Sequence, residues 1–324
     1  MSSLDLTIDF SVPFDDDPWT FEYKTFDVLN DYLQPQSPTS PSAAALQLNE
    51  LLPEIGILQL WDIVFRVAAQ VPHDHPSQEK LIDLITALRD APIEPNPFAD
   101  LDQLNAELTD IFHQTSPDPP PAEQDQQEDD GPTLDNLDTM FATDDDPAAA
   151  AAAAAPSTDA APAPAPPSPT TKPKADNTLH ALLSNGHSHR NLHALAARLT
   201  RSHLDDRAPT EGVYALAHAL EHTRPDPRSR AFAARGRALE WRVPVAADWV
   251  MIAGREVYGW VVVKGEQGGK ERWEGWRRAF EAVAEGEVCG GEVREVARVA
   301  ARRMAEIEGE VEKEAKKAGG GGGA

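Results

Sequence analysis

The stretch SNGHSHRNLHALAARLT, residues 184–200, follows a long proline- and alanine-rich segment and opens the second half of the chain. Its apolar residues recur three or four positions apart, which is the spacing of an amphipathic helix. Asn185-Gly186 favours the end of a short preceding helix, and Ser188 is a residue type that caps a new one, so we expect a helix over 188–203. The apolar stripe of this helix comprises Leu192, Leu195, Ala196 and Leu199.

The same stretch carries three histidines, which raises the question of a metal site. His189 and His193 are four residues apart and could share an ion, with His187 as a third ligand from the preceding loop. Zinc needs three or four protein ligands, and this helix has neither a cysteine nor a carboxylate to complete the set. We therefore predict that the imidazoles lie on the flank of the apolar stripe and cover the edge of the core. His189 and His193 stay as weak metal candidates.

A second histidine pair has the order of a known catalytic motif. The sequence HALEH, residues 218–222, matches the H-x-x-E-H pattern of the inverted zinc proteases. Helical spacing predicts that His218 and His222 lie on the solvent side, away from a walled cavity in which zinc could act. The predicted core stripe of this helix comprises Val213, Leu216, Ala217 and Leu220. A metal-dependent hydrolase is thus a distant alternative, and we predict no catalytic residue, no bound metal and no cofactor.

Helical periodicity continues on both sides of the central segment. In the first half it predicts helices over 58–69 and 75–90, separated at Pro72. In the second half it predicts helices over 211–223, 229–241, 244–260, 271–285 and 291–317. Tryptophan-containing core stripes are Ala246, Trp249, Val250, Ala253 and Val257, and then Trp273, Trp276, Phe280 and Val283. Only WVVVK at 260–264 has a strand-like composition, so the predicted fold is all-α, an irregular multi-helix bundle.

The bundle is interrupted by a segment with almost no apolar surface to bury. Residues 116–176 contain acidic runs, eight consecutive alanines and the sequence PAPAPPSPTTKPK, a composition typical of disorder. We expect the helical halves on either side to pack as one domain, because closing a long loop costs little extra entropy. The predicted segments are an acidic aromatic and partly ordered 1–43, a helical 44–115, a disordered 116–176, a helical 177–318 and a glycine tail 319–324.

The net charge of −25 is concentrated in the first half. Residues 1–171 contain four basic and 32 acidic residues, a net charge of −28, whereas residues 172–324 contain 25 basic and 22 acidic residues, a net charge of +3. Such a chain repels polyanions, so nucleic acid is an unlikely partner class. A lone Cys289 and the lack of a long apolar run predict an intracellular protein, cytoplasmic or nuclear, without a membrane partner.

Four blocks of this sequence resemble a known family. They are LWDIVFRVAAQVPHDHPSQEKLIDLITAL, NLHALAARLT, AADWVMIAGREVYG and RWEGWRRAFEAV, which occur in this order. Together they are similar to a fungal family known only as domain of unknown function 3632. The resemblance implies an all-helical domain and brings no established activity, cofactor or catalytic residue. The long insertion and His193 depart from the family pattern.

The predicted function is a non-catalytic, helical protein–protein interaction domain with an unknown protein partner and an unknown oligomeric state. Candidate interaction residues form a basic cluster, which comprises Arg224, Arg228, Arg230, Arg235, Arg237 and Arg242. The alternative is a transcription-linked regulator that uses acidic aromatic segments at 1–35 and 134–141. For the first of these segments, helical spacing of Trp19, Tyr23, Phe26 and Leu29 instead favours a helix docked on the domain.

Overall fold

The described part of the chain consists of two groups of helices on either side of the central segment. In this computed structural model the described residues are 3–8, 20–114, 183, 185–205, 209–221, 230–264 and 268–319, without the side chains of 20, 113, 114, 230–237, 318 and 319. The predicted disordered segment 116–176 and the acidic segment 134–141 lie outside these residues. The bounds of the five predicted segments therefore stay predictions.

The first group contains five helices. They are α1 Thr20–Leu33, α2 Pro41–Ile55, α3 Ile57–Gln70, α4 Ser77–Arg89 and α5 Asp102–Gln114. Ser40 caps α2 by accepting a hydrogen bond from Ala43 N at 3.1 Å, and Pro41 occupies the first turn, where its missing N–H leaves no bond unmade. Gly56, with φ of 75°, allows the chain to turn at once from α2 into α3.

The second group also contains five α-helices among the described residues. They are α6 Gly186–Arg201, α7 Pro209–Leu220, α8 Arg230–Tyr258, α9 Gly269–Glu285 and α10 Gly291–Gly319. A π-helical turn, Gly259–Val263, extends the end of α8. Every regular element within the described ranges is helical, which confirms the predicted all-α class.

Two local predictions are wrong in this half. The predicted separate helices 229–241 and 244–260 are one helix, α8, which runs through Pro244 and is kinked at Ala253. Residues 243–250 are buried on every side, so packing compensates for the backbone bond that Pro244 cannot make. Residues 260–263 of WVVVK, whose composition is strand-like, belong to the π-helical turn. Asn185 caps α6 by accepting from His187 N at 3.1 Å, so Asn185-Gly186 starts this helix and Ser188 lies inside it.

In the first half, periodicity alone missed two helices and the exact face of a third. Helices α2 and α5 fall within the predicted helical segment but were not identified individually. Helix α1 does dock on the domain, packing against α2, α3 and α4. Its buried face is rotated from the predicted one, because Tyr23 is exposed and Phe26 only half-buried. The buried residues of α1 are Glu22, Thr25, Leu29, Tyr32 and Leu33.

Helix α6 lies between the two groups and is buried on all sides over residues 191–200. It packs against α3 and α4 of the first group and against α7 and α8 of the second. Helix α8 is the second hub, because it packs against α6, α7 and α10. The tryptophan-bearing core stripe predicted for α8 is confirmed, and in α9 the predicted Trp273, Trp276 and Phe280 are buried. The described parts of 1–119 and 177–324 thus form one compact unit.

Deleting residues 120–176 should leave this unit folded. Helices α5 and α6, which lie on either side of the deletion, already touch, since the Phe112 and His189 ring centroids lie 6.4 Å apart. Shortening the connection should raise the free energy of unfolding by about 1 kcal/mol through reduced loop entropy. Urea unfolding followed by circular dichroism checks this, and loss of the cooperative transition would contradict it.

A second prediction concerns the close approach of α7 to α8. A Cβ atom on Gly212 would lie 2.8 Å from Trp249 Cε3 and 2.8 Å from Val257 Cγ2, so Gly212→Ala should destabilise the fold by about 1–3 kcal/mol. In the matched control, Gly275→Ala in α9, the new methyl group enters open space and should stabilise the helix by up to about 1 kcal/mol. Urea midpoints that shift equally in the two variants would refute the packing argument.

Candidate functional site

The polar side chains of α6 form a seam with the turn between α3 and α4. Asn191 accepts a hydrogen bond from His73 N at 2.8 Å and donates one to Ala69 O at 2.9 Å. The backbone carbonyl oxygen of Asn191 accepts a hydrogen bond from Gln78 Nε2 at 3.3 Å. One buried side chain of α6 therefore satisfies backbone groups that the end of α3 leaves open, as a helix C-terminus requires.

Arg198 extends the seam with one contact to the turn and one to α4. Its guanidinium donates to Glu79 Oε1 at 2.8 Å and to His73 O at 2.9 Å. Arg201 donates to the other carboxylate oxygen of Glu79 at 2.7 Å. Partial burial would raise the pKa of Glu79, but the hydrogen bonds from these two arginines outweigh it and hold the pKa below its ordinary value. The second half of the chain is thus bound to the first by charge-assisted hydrogen bonds.

Another ion pair fixes α6 to α8. Arg190 donates through Nε to Asp248 Oδ2 at 2.6 Å and through Nη2 to Asp248 Oδ1 at 2.9 Å. This two-point geometry matches a guanidinium to a carboxylate and restricts the rotation of α6 against α8. Helix α6 is therefore held by directional polar contacts to helices of both groups.

The two candidate metal histidines of α6 lie inside the core. Exposed fractions of 8% for His189 and 7% for His193 place them deeper than the predicted flank position. The His193 ring stacks on Phe112 of α5 at a centroid distance of 4.1 Å and an angle of 12°, and the two imidazoles contact each other at 4.4 Å. Trp249 Nε1 donates to His193 Nδ1 at 3.1 Å, which requires a free lone pair on that nitrogen. These histidines serve as packed aromatic rings.

Burial keeps both imidazoles neutral. It lowers the pKa of His189 to about 4, with a smaller contribution from the charge of His218. It also lowers the pKa of His193 well below the ordinary value, with a further contribution from His189. Desolvation penalises the charged form of a histidine, so both groups favour the neutral state that packing against Phe112 uses.

The predicted solvent position of His218 is wrong. Its side chain is half-buried and lies near enough to His189 to affect the pKa of that group. The buried face of α7 is centred on Gly212, Leu216 and Ala219, because Gly212 lets the helix approach Trp249 closely. His222 lies outside the described residues. Within the described ranges, no group of three or more His, Cys, Asp or Glu side chains is arranged to hold a metal ion.

The glutamate of the protease-like motif has a structural role. Glu221 accepts hydrogen bonds from Arg272 Nε at 2.5 Å and from Trp276 Nε1 at 2.8 Å. The Arg272 guanidinium also lies over the Trp276 ring, 4.9 Å from its centroid. The carboxylate that the motif would use in catalysis instead connects the end of α7 to α9.

The basic cluster is only partly described. Arg224 and Arg228 lie outside the described residues, and Arg230, Arg235 and Arg237 are placed on α8 without described side chains. Arg242 is half-buried. The predicted interaction role of these arginines stays a prediction.

Sequence reasoning did not identify the residues of the seam as a site. Asn191 and Arg198 lie outside the predicted apolar stripe of α6, although they are buried. A usable signal was present, since from residue 192 to residue 199 every position of α6 except 193 and 198 is small or apolar, so that this part has no continuous charged face. That composition is typical of a helix that is surrounded by other helices.

Removing Arg198 should separate its buried role from ordinary surface charge. Arg198→Ala leaves His73 O and one Glu79 oxygen without their donor, so we expect the free energy of unfolding to fall by about 2–3 kcal/mol. The matched control is Arg201→Ala, which removes the exposed partner of the same carboxylate and should cost less than about 1 kcal/mol. Urea unfolding at pH 7 distinguishes them, and equal losses would show that the seam contributes no more than a surface ion pair.

Comparison with known proteins identifies the family to which the chain belongs. The family model described as Protein of unknown function (DUF3632) matches residues 61–280, from Trp61 in α3 to Phe280 in α9. No curated protein and no solved structure matches the chain. The matched range covers well over half of the sequence and includes both sides of the seam around α6. The chain therefore belongs to the DUF3632 family.

Proposed function

We propose that this chain is a non-catalytic helical domain that binds another protein. The observation that carries the proposal is the pair of apolar side chains on the π-helical turn, Trp260 and Val263, with exposed fractions of 37% and 71%. Tryptophan is enriched at the centres of protein interfaces, and π-helical turns occur often at functional positions. The turn is therefore the first surface on which to look for a partner.

The backbone of the π-helical turn that carries these side chains is fixed by hydrogen bonding and packing. Lys264 N donates to Gly259 O at 3.1 Å, which closes the turn, and Val261 is buried beneath it. The first residue of α9 is packed on it so closely that a Cβ atom on Gly269 would collide with the Val261 carbonyl oxygen. Lys264 Nζ lies 5.5 Å from the centroid of the Trp260 ring. A rigid apolar surface loses little conformational entropy on binding.

The side chains that the sequence offers as metal ligands or catalytic groups support a non-catalytic role. His189 and His193 are used in aromatic packing, and Glu221 is bound by Arg272 and Trp276. A hydrolase would need these groups to be free to bind a metal and a water molecule.

The regulator alternative receives less support. It requires the acidic aromatic segment 1–35 to be available, whereas α1 buries Leu29, Tyr32 and Leu33 against the domain. Tyr32 also donates its hydroxyl to Lys80 O at 2.9 Å. The second acidic segment, 134–141, lies outside the described residues, so its role as an activation segment stays a prediction.

We further propose that the protein acts inside the cell, in the cytoplasm or the nucleus. The basis is the single cysteine, Cys289, which is buried and whose pKa is raised to about 11 by that burial and by the charge of Glu240. Such a thiol stays protonated and is suited to a reducing compartment. Among the described helices, none is long and apolar enough to cross a membrane.

Site-specific cross-linking tests the proposed interaction surface. A photoreactive amino acid at position 263 of the full chain, expressed in native cells, should capture a defined protein. The same amino acid at position 58 is the control, because Leu58 on α3 is also exposed, at 55%. Val263→Asp should then weaken binding of the captured protein at least tenfold, since it places a charge in an apolar contact, whereas Leu58→Asp should leave binding unchanged. Identical capture from both positions would contradict the proposal.

A further inference from the structure

We infer that Phe112, His189 and His193 form a proton-operated clasp, which holds the end of α5 on α6 while both imidazoles are neutral and releases it when they are protonated. This inference is independent of the proposed interaction surface. It concerns the place where the first half of the chain ends and the central segment begins.

The geometry places the clasp at a contact between α5 and α6. Phe112 lies in the last described turn of α5, stacked on His193 and edge-on to His189. Earlier turns of α5 bury Leu104 and Leu108, and the helix packs against α3. Loss of the ring contacts would therefore loosen the end of α5 first and leave its beginning attached to the domain.

Protonation removes what the clasp depends on. The Nδ1 lone pair of His193 already accepts a hydrogen bond from Trp249 Nε1, so a proton on that nitrogen would set two donors against each other. A second cost comes from charge repulsion, because the imidazoles are 4.4 Å apart inside the core. When the end of α5 opens, water reaches the rings, which screens the repulsion and reduces the desolvation cost of the charged forms.

The charged groups on the adjoining helices do not offset this cost. His218 of α7 adds a charge of the same sign as a protonated His189. The carboxylates Asp248 of α8 and Glu79 of α4 are each held by an arginine of α6. On α7, the buried Glu211 lies two turns before His218, and on α5, Asp110 is exposed to solvent.

The direction of the pH response follows from linkage. Both histidines have a pKa below the ordinary value when buried, so the closed clasp is favoured above about pH 6.5 and loses stability as the pH falls toward the buried value of about 4 for His189. Between pH 7.5 and pH 5, His189 alone should increase the opening equilibrium by about 30-fold. Protonation of His193 in the open state would add to that increase.

Hydrogen exchange on the full chain tests the clasp. After correction for the intrinsic effect of pH on exchange, protection of residues 108–114 should fall at least tenfold between pH 7.5 and pH 5, and protection of α9 and α10 should fall much less. His189→Gln should reduce this response, and so should His193→Gln, which keeps an oxygen that can accept from Trp249. The control is His203→Asn, because His203 is exposed with φ of 54°, a conformation that asparagine tolerates, and the response should stay as in the parent chain.

Two results of this experiment would contradict the clasp. A fall in protection that is equal in α5, α9 and α10 would overturn the inference, because it would indicate global acid unfolding. An unchanged response in both glutamine variants would also overturn it. If those variants do not fold, the parent chain alone still decides the matter through the comparison of residues 108–114 with α9 and α10.

Discussion

The burial of α6 on every side is the constraint on which the rest of the fold depends. A helix with Asn191, His193 and Arg198 in its interior-facing surface is stable only if each polar group meets a partner, since an unpaired buried group costs about 1–3 kcal/mol. Asn191 and Arg198 find their partners in His73, Glu79 and the backbone of Ala69, all in the first half, whereas His193 accepts from Trp249 of α8. The two halves are therefore parts of one core even though a long segment separates them in sequence.

Helix α8 provides the other side of this arrangement. Asp248 receives Arg190, and Trp249 both donates to His193 and contacts the backbone of α7 near Gly212. One turn of α8 thus sets the position of α6 and α7 together. The same turn lies just after Pro244, which has no N–H and so leaves one backbone hydrogen bond of the helix unmade. Dense packing around residues 243–250 compensates for that missing bond, which explains why proline does not end the helix here.

Periodicity predicted the buried side chains of helices with a regular solvent face and misplaced side chains where that face is missing or displaced. In α9, Trp273, Trp276 and Phe280 follow one stripe, so their burial could be predicted from spacing alone. In α6, His189 and His193 lie beside the apolar stripe, so that flank looks exposed in the sequence, although Phe112 of the first half covers it. In α7, the buried face is set by the small size of Gly212, whose effect depends on Trp249, a residue far along the chain. Spacing within one helix contains no information about such a partner.

The histidine patterns were misleading for a related physical reason. A histidine on a helix can bind a metal or serve as a flat aromatic ring with one acceptor nitrogen, and the spacing in sequence is the same in both cases. The deciding feature is the partner supplied by another element, which here is the stacked ring of Phe112 and the indole N–H of Trp249. A metal site needs further carboxylate, thiolate or imidazole ligands at that place, whereas a packed site needs rings and a single donor. Because the ring comes from α5 and the donor from α8, the role of His189 and His193 depends on the assembled core. A change in their protonation therefore acts where α5, α6 and α8 meet.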